Sequence, residues 1–551
     1  MNTRLKPESG FALVVSLILI VLLSFIGIAS IRTSNTDISI AGNQVARTRA
    51  FYFAEAGAEK ASADIIQAYS QSGVPPDPLP SDSVQTDVAT IAYTTVDQGP
   101  AQIQTLSEGS YAGLYGMVKS YEISSRGREQ GEPQVVEIVQ EVENILIPVF
   151  QFAVFYEKDL EFCPGVDMTI NGRMHTNADL YLGAWTSLYM NSEVTAAGHL
   201  YTNHRKTGTP DPVGPGNVYI KDGTGANVAM KVGSDWLDSD DSNWVSESTS
   251  RWDGRVKDAS HGMQELNLPV ASGGTASDLI DPANSGANPN SMENQAGLKI
   301  INGQAYYKSG NSWNNVTGAL TTAGALANKT FYNAREFKWV SSVDIDVQKL
   351  GATAYYPANG IVYASTTPGG ANQQGLRLVN GSELPRPLTV ASSNPVYTQG
   401  NYNSVNKKPA AIMADAYTIL SGNWDDSKSN GTLASRTASN TTVNVAFMTG
   451  NYETNMNNGY NGGLENLPRL LETWGSSKTL TLKGSFVDLW ESREATGKWT
   501  TQGDPNKHYT IPTRDWSFDT DFLDPNKLPP GTPKVNVTRK ATWRQNLLAS
   551  Q

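Results

Sequence analysis

The sequence predicts an α+β chain: a long N-terminal α-helix followed by a predominantly β outer region, best read as a β-solenoid (β-helix). Three observations carry this: an uncharged 21-residue stretch near the N-terminus, an amphipathic run that continues it, and a long remainder of short apolar segments broken by Gly, Asn and Asp. The 551 residues are 39% hydrophobic and 17% charged, with 49 Gly and 28 Pro, so a core can be buried and the composition is not that of a disordered tail. Fifty-three acidic against 42 basic side chains give a net charge of −11, which repels a phosphate backbone and excludes nucleic acid as an expected partner. Cys163 is the single cysteine, so neither an internal disulfide nor a paired-thiol metal knuckle is available.

Residues 1–10 read as a short leader, with Arg4 and Lys6 against Glu8. Residues 11–31 carry no charge and, at about 1.5 Å per residue, span roughly 30 Å, the hydrocarbon thickness of a bilayer. The basic residues before the span are expected to stay in the cytoplasm, placing the bulk of the chain on the far side of the membrane. A plain signal anchor and a leader cut between Gly10 and Phe11 both fit this pattern. Residues 32–72 continue it as an amphipathic helix, with Ile38, Ala41, Val45, Thr48 and Tyr52, then Ala54, Ala58, Ala61, Ile65 and Ala68, at spacings of three and four. Gly27 and Gly42 weaken the rod by about 1 kcal/mol each. Gly73 and the run Pro75-Pro76-Asp77-Pro78 end it, so residues 73–83 form a linker.

The leader ending in Gly10, the helix starting at Phe11, the segment Ile40-Ala41-Gly42-Asn43 and the run 50–57 (AFYFAEAG) resemble the N-terminal domain of PilX-type minor pilins of type IV pili. The resemblance implies cleavage after Gly10 by a prepilin peptidase, methylation of the new Phe11 amine, and passage of the helix from the bacterial inner membrane into a pilus or pseudopilus beside other pilins and the assembly machinery. Major pilins of that family carry a glutamate at the fifth mature position, where this sequence has Val15. Without that carboxylate a subunit is poorly suited to repeat along a shaft, because the neighbouring terminal amine would be buried unpaired. Val15 therefore points to the tip, a trait shared with K-type pseudopilins.

Residues 84–148 are expected to form a small sheet packed on the helix, with strands at 121–125 and 134–146 joined by a turn at 127–131. The run 134–146 fits a helix by spacing and a strand by β-branching. From residue 149 to 551 short strands recur, for example at 167–171, 178–182, 360–364, 388–391, 410–414, 443–448 and 480–490. No amphipathic helix recurs between them, which argues against a parallel sheet of βαβ units. Asn-Gly corners at 171–172 and 380–381 suggest a solenoid, with 205–295 and 305–345 as insertions or irregular rungs. The runs 171–181, 394–402 and 462–469 also resemble large PilX-type proteins whose outer part is β-helical.

Chemistry-bearing clusters are sparse. His175, His199, His204, His261 and His508 lack HExxH spacing. Asp238, Asp240 and Asp241, with Asn243 and Glu247, form the densest oxygen-ligand cluster and the one weak calcium candidate. The EF-hand pattern fails there, since the sixth position is Asn243 and the twelfth Thr249. Asp519 and Asp521 are the paired carboxylates that a polysaccharide-acting enzyme would use, and Trp490, Trp499 and Trp516 are candidates for sugar stacking. The expected function is that of a non-enzymatic minor pilin needing no cofactor, anchored in the inner membrane and then placed at a pilus tip, its outer domain free to meet a tip adhesin or surface ligand. The alternatives are a membrane-tethered β-helical polysaccharide enzyme and a surface adhesin.

Overall fold

The computed structural model describes residues 9–548 apart from 203–213, 271–272, 285–287, 456–458 and 501–503. His204 and the leader residues Arg4, Lys6 and Glu8 thus lie outside the described residues. One helix, Ser9–Ser72, runs through the apolar stretch and its continuation without a break at Gly27 or Gly42. At 1.5 Å per residue it is roughly 95 Å long. It stops where Gly73 adopts a φ of +67° and its N–H bonds back to the Tyr69 carbonyl at 3.0 Å, the left-handed ending that glycine allows.

Only the upper part of this helix is covered. Ala46, Ala50, Ala54, Ala58, Ala61, Ile65 and Tyr69 are buried, and their spacing puts them on one face. From Ala50 upward they pack against Tyr93, Tyr121, Ile123, Val136, Ile138 and Val142 of a sheet. The expected lower stripe is different: Ile38, Ala41, Val45, Thr48 and Tyr52 are all exposed. Along Ala50–Ala58 the covered face is set by sterics, because the sheet approaches so closely there that only small residues fit. A Cβ on Gly127 would lie 2.3 Å from the Ala50 carbonyl oxygen, and one on Gly57 would lie 2.4 Å from the Ser125 hydroxyl.

The sheet is antiparallel in the order Ser81–Gln85, Ala89–Asp97, Tyr115–Glu129, Val135–Pro148 and Lys534–Leu548, with Gln102–Thr105 also on Tyr115–Glu129. The run whose spacing fitted both helix and strand is a strand: Val136, Ile138 and Val142 all face the helix, the two-residue alternation of a half-buried sheet. Residues 127 to 129, expected in a turn, lie inside Tyr115–Glu129, and the turn sits at Gly131 with φ +85°. The first strand begins within the expected linker, at Ser81.

The boundary 149–551 is corrected by the last strand. Lys534–Leu548 pairs with Val135–Pro148 from Lys534↔Pro148 to Leu548↔Val135. The outer region is therefore an insertion between two neighbouring strands of the small sheet. Sequence reading missed this because the pairing joins segments about 390 residues apart and has no local signal.

The outer region is mainly β, and its ladders are mainly parallel. Val154–Tyr156, Met174–Thr176 and Val194–Ala196 stack in register at steps of 20 residues, as do Leu160–Phe162, Leu180–Leu182 and Leu200–Thr202. Met168–Ile170 stacks under Ser187–Met190, which stacks under Asn217–Lys221. After Val256–Lys257, paired to Val194–Ala196, the chain crosses the whole body and restarts at its far end with Leu298–Ile301. From there Ile361–Ser365, Leu388–Ser392, Ala410–Ala414, Ala446–Asn451 and Phe486–Glu491 follow in parallel, and the last pairs with Val154–Tyr156, where the first winding began. Ten parallel strands thus form one continuous face. In the second winding, successive partners lie 28, 22, 35 and 39 residues apart, as at Val362↔Val390, Leu388↔Ala410, Ala411↔Ala446 and Phe447↔Phe486. Two further faces close the body, one of them including Lys338–Asp346, Gln373–Val379, Val396–Gln399, Tyr417–Leu420 and Pro468–Leu470. The stretch 305–345 therefore ends in a regular rung.

Two corners show different uses of Asn-Gly. Asn380 adopts φ +52°, whereas neither Asn171 nor Gly172 has positive φ. Gly172 is small because a Cβ there would lie 2.8 Å from both the Ala153 Cβ and the Phe518 ring.

Candidate functional site

The apolar half of the helix is the feature that an aqueous fold cannot use. Its most apolar window has a mean hydropathy of 3.1 and is wholly unburied. Leu13, Leu17, Ile18, Leu19, Ile20, Leu23 and Phe25 all face outward. A continuous patch of this kind marks a membrane or protein contact. The polar groups within it are already satisfied: the Ser16 and Ser24 hydroxyls donate to the Ala12 and Ile20 carbonyls at 2.8 and 2.7 Å, which removes the cost of carrying a free hydroxyl into hydrocarbon. Gly10 sits in the first helical turn, where an added Cβ would meet nothing within 4 Å, and Phe11 is 72% exposed. Val15, 39% exposed, lies one turn on in the same unbroken helix.

Where helix meets sheet, the Tyr69 and Tyr121 hydroxyls share a hydrogen bond of 2.7 Å, and Arg49 pairs with Glu129 at 2.5 Å. Lys540 on the last strand pairs with Glu59 of the helix. The ring of Trp543, also on that strand, lies 6.3 Å from that of Phe51.

The calcium candidates are occupied in turn-making. Asp238 accepts from the Thr202 N–H and hydroxyl, both at 2.9 Å, and from the Asp240 N–H at 3.1 Å, while Asp241 accepts from the Asp238 N–H at 2.9 Å. Among the described residues, no group of three or more His, Cys, Asp or Glu is placed to hold a metal ion.

The paired carboxylates are held by lysines. Lys407 bonds both Asp519 oxygens, at 2.6 and 2.5 Å, and lies 2.7 Å from Asp521, which Lys527 also meets at 3.0 Å. The Lys407 and Lys527 ammoniums bring Asp521 down to about 2, the opposite of the raised value a general acid needs. Asp519 also caps a short 3-10 turn through the Asp521 N–H.

The tryptophans do not form an open platform. Trp490 is buried and donates to the Ala414 carbonyl at 3.2 Å, Trp516 is buried and stacks on Phe486 at 5.3 Å, and half-buried Trp499 donates to the Tyr509 hydroxyl at 3.2 Å. His175 is a core residue between Thr195 and Asn177, at 2.8 and 3.0 Å, and burial lowers it to about 4. His261 lies against Asp258 and Ser248, and His199 sits 3.7 Å from Asp258. Cys163 is buried.

Sequence reading missed the 20-residue step of the first winding. Its signal is visible in Asp159-Leu160-Glu161-Phe162, Asp179-Leu180-Tyr181-Leu182 and His199-Leu200-Tyr201-Thr202. Those positions form ladders: Asp179 accepts from the His199 N–H at 2.8 Å, Asp159 from the Asp179 N–H at 3.0 Å, and Tyr181 stacks on Tyr201 at 5.2 Å.

No curated protein matches the chain. Among solved structures, the crystal structure of the competence-associated pilin ComZ from Thermus thermophilus aligns over 92% of this chain and 98% of its own, with 11% identity and a TM-score of 0.26. Residues 9–59, which hold the exposed apolar half of the helix and the start of its covered half, match the family model described as PilX N-terminal.

Proposed function

We propose that this chain is a minor pilin of a type IV pilus or related pseudopilus, cleaved after Gly10, methylated at Phe11, and carried by its helix from the inner membrane into the filament. The observation that carries this reading is the coincidence of the PilX N-terminal match with a helix whose apolar half is bare and whose upper half is locked to a sheet. A bare apolar helix is stable in lipid and equally stable when other such helices surround it, so one surface serves both states. Val15 supports a place at or near the tip, where no preceding subunit presents an amine. The parallel ladders, with their 20-residue steps, support reading the outer body as a β-solenoid displayed beyond the filament, free to meet a tip adhesin or another surface ligand. Its work is done by packing and display. The lysine-paired state of Asp519 and Asp521 weighs against the polysaccharide-enzyme reading.

N-terminal peptide mass analysis of sheared pili tests the proposal. The expected peptide begins at a methylated Phe11; recovery only of chains that begin at Met1 overturns it. Immunogold labelling tests placement, with label expected at filament ends, and uniform shaft labelling refutes the tip.

A further inference from the structure

The face that holds Pro468–Leu470 ends at its other edge in a hairpin, Leu326–Asn333 paired antiparallel with Lys338–Asp346. One side of the hairpin is covered: Phe331 and Val340 stand opposite each other and are buried with Tyr397, Leu420, Trp424 and Leu471. Side chains alternate along a strand, so the neighbours of that pair point the other way. There Tyr332 stands opposite Trp339 and Thr330 opposite Ser341, and the row continues to Gln374, which pairs with Ser341 from the parallel strand Gln373–Val379. Trp339 is 42% exposed, Thr330 is exposed, and Tyr332, Ser341 and Gln374 are half-buried.

This open side is held rigidly. The Tyr332 and Trp339 rings meet edge to face, with centroids 5.6 Å apart. The Asn372 side chain donates to the Ser341 hydroxyl at 3.0 Å, and the Gln374 side chain donates to the Asn372 backbone carbonyl at 3.3 Å. The turn is fixed from within: the Asn333 side chain accepts from the Arg335 and Glu336 N–H groups at 3.0 and 3.2 Å, and Glu336 accepts from Arg469 and from the Gly497 N–H, each at 2.7 Å. Phe337 follows with φ +53°, which a bulky residue rarely adopts. Strain of this kind persists only where the surroundings over-determine it, and it gathers at ligand-binding places.

Apart from the Tyr332 phenol, the row of Thr330, Tyr332, Trp339, Ser341 and Gln374 has no ionisable group, on a chain whose net charge is −11. A charged ligand would give up its hydration there and meet no counter-charge. A lipid surface or an apolar protein pocket would bury the hydroxyls and the amide unpaired. A pyranose suits both parts of the row: its C–H face packs on an aromatic ring, and its hydroxyls donate to and accept from neutral amides and hydroxyls. We propose that this side of the hairpin binds a neutral polysaccharide, one pyranose resting on Trp339 and Tyr332 and the next bonded by Thr330, Ser341 and Gln374. Because the row is already ordered, little side-chain freedom is lost on binding. Binding there requires neither cleavage after Gly10 nor entry into a filament, so its failure and the failure of the pilin reading are separate results.

The test is isothermal titration of the full chain, kept in a detergent without a sugar headgroup, with hexasaccharides of glucose, mannose and N-acetylglucosamine, and with polygalacturonate as the charged comparator. At least one neutral hexasaccharide is expected to bind saturably. Trp339→Ala is expected to weaken that binding about tenfold and Gln374→Ala about threefold, while Trp339→Phe retains most of it. Trp185→Ala, which removes an exposed tryptophan of the first winding, is expected to change nothing. The proposal is overturned by no saturable binding of any neutral hexasaccharide, by tighter binding of polygalacturonate, by binding undiminished in Trp339→Ala, or by an equal loss in Trp185→Ala. Hydroxyl-radical footprinting of wild type decides the matter even when Trp339→Ala does not fold: saturating oligosaccharide should shield Trp339 from oxidation and leave Trp185 unchanged, and unaltered oxidation of Trp339 overturns the site.

Discussion

The two halves of the long helix obey opposite rules. From Phe11 to Ile31 the side chains are mostly large, apolar and bare; from Ala46 upward the covered face is mostly alanine. Hydrophobicity alone predicts the reverse, since Leu and Ile gain far more from burial than Ala does. The difference teaches that the upper half was shaped by close approach and the lower half by an environment outside the folded chain. A sheet that comes within van der Waals distance of the helix backbone fixes one face, and lipid or neighbouring helices take any face of the other.

Overpacking gives the largest contrast. Gly127→Leu should cost about 3 kcal/mol, because its Cβ alone would meet the Ala50 carbonyl oxygen at 2.3 Å. Gly42→Ala, with nothing within 4 Å of its Cβ, should stabilise the helix by up to about 1 kcal/mol. Denaturant titration followed by circular dichroism reads both; equal losses would erase the distinction between the halves. Next in size, Ile20→Arg should leave the unfolding of the outer region unchanged while costing about 2.5–3.5 kcal/mol of membrane insertion, measured by the inserted fraction in translocation assays. A smaller effect is expected at the top, where Tyr121→Phe removes the partner of the Tyr69 hydroxyl and should cost about 1 kcal/mol in the same titration, whereas Tyr52→Phe on the bare face should cost nothing.

The smallest effect is pH-dependent. The Asn546 amide, then Arg126, hold the Glu137 carboxyl below its ordinary value in the strand that covers the helix. A lowered folded-state value means stability that is present above the unfolded value of about 4.3 and lost as pH falls below it. Glu137→Gln should therefore cost about 1 kcal/mol at neutral pH and progressively less as pH falls below about 4.3. A cost that persists in acid would assign the effect to packing.

Much of this was legible in sequence, and the misses have physical causes. The helix and its end at Gly73 follow from composition and breakers, and the β character of the remainder follows from short apolar runs between Gly and Asn. The buried stripe was displaced because sequence shows hydrophobic faces but not which face a sheet reaches: Ala46 and Ala50 carry less signal than Val45 and Tyr52. The return of the chain from Val256–Lys257 to Leu298–Ile301 follows no fixed step, and the closure of Phe486–Glu491 on Val154–Tyr156 joins residues more than 300 positions apart, so neither leaves a periodic trace. At the candidate site, the junction of Gly10 and Phe11 was readable as a motif. The fate of Asp519 was not, because its partner Lys407 lies 112 residues away.

The outer body enters and leaves through two paired legs, ending at Pro148 and Lys534. Partners across an antiparallel ladder stand about 5 Å apart, so the two ends of the body must meet, and Leu106, Leu114, Val118, Ile145 and Ile147 of the sheet and its loop also share one core with it. A replacement body would therefore have to close its ends at Pro148 and Lys534 and also cover the apolar sheet face that these side chains present, so the stem is a socket with a shaped floor.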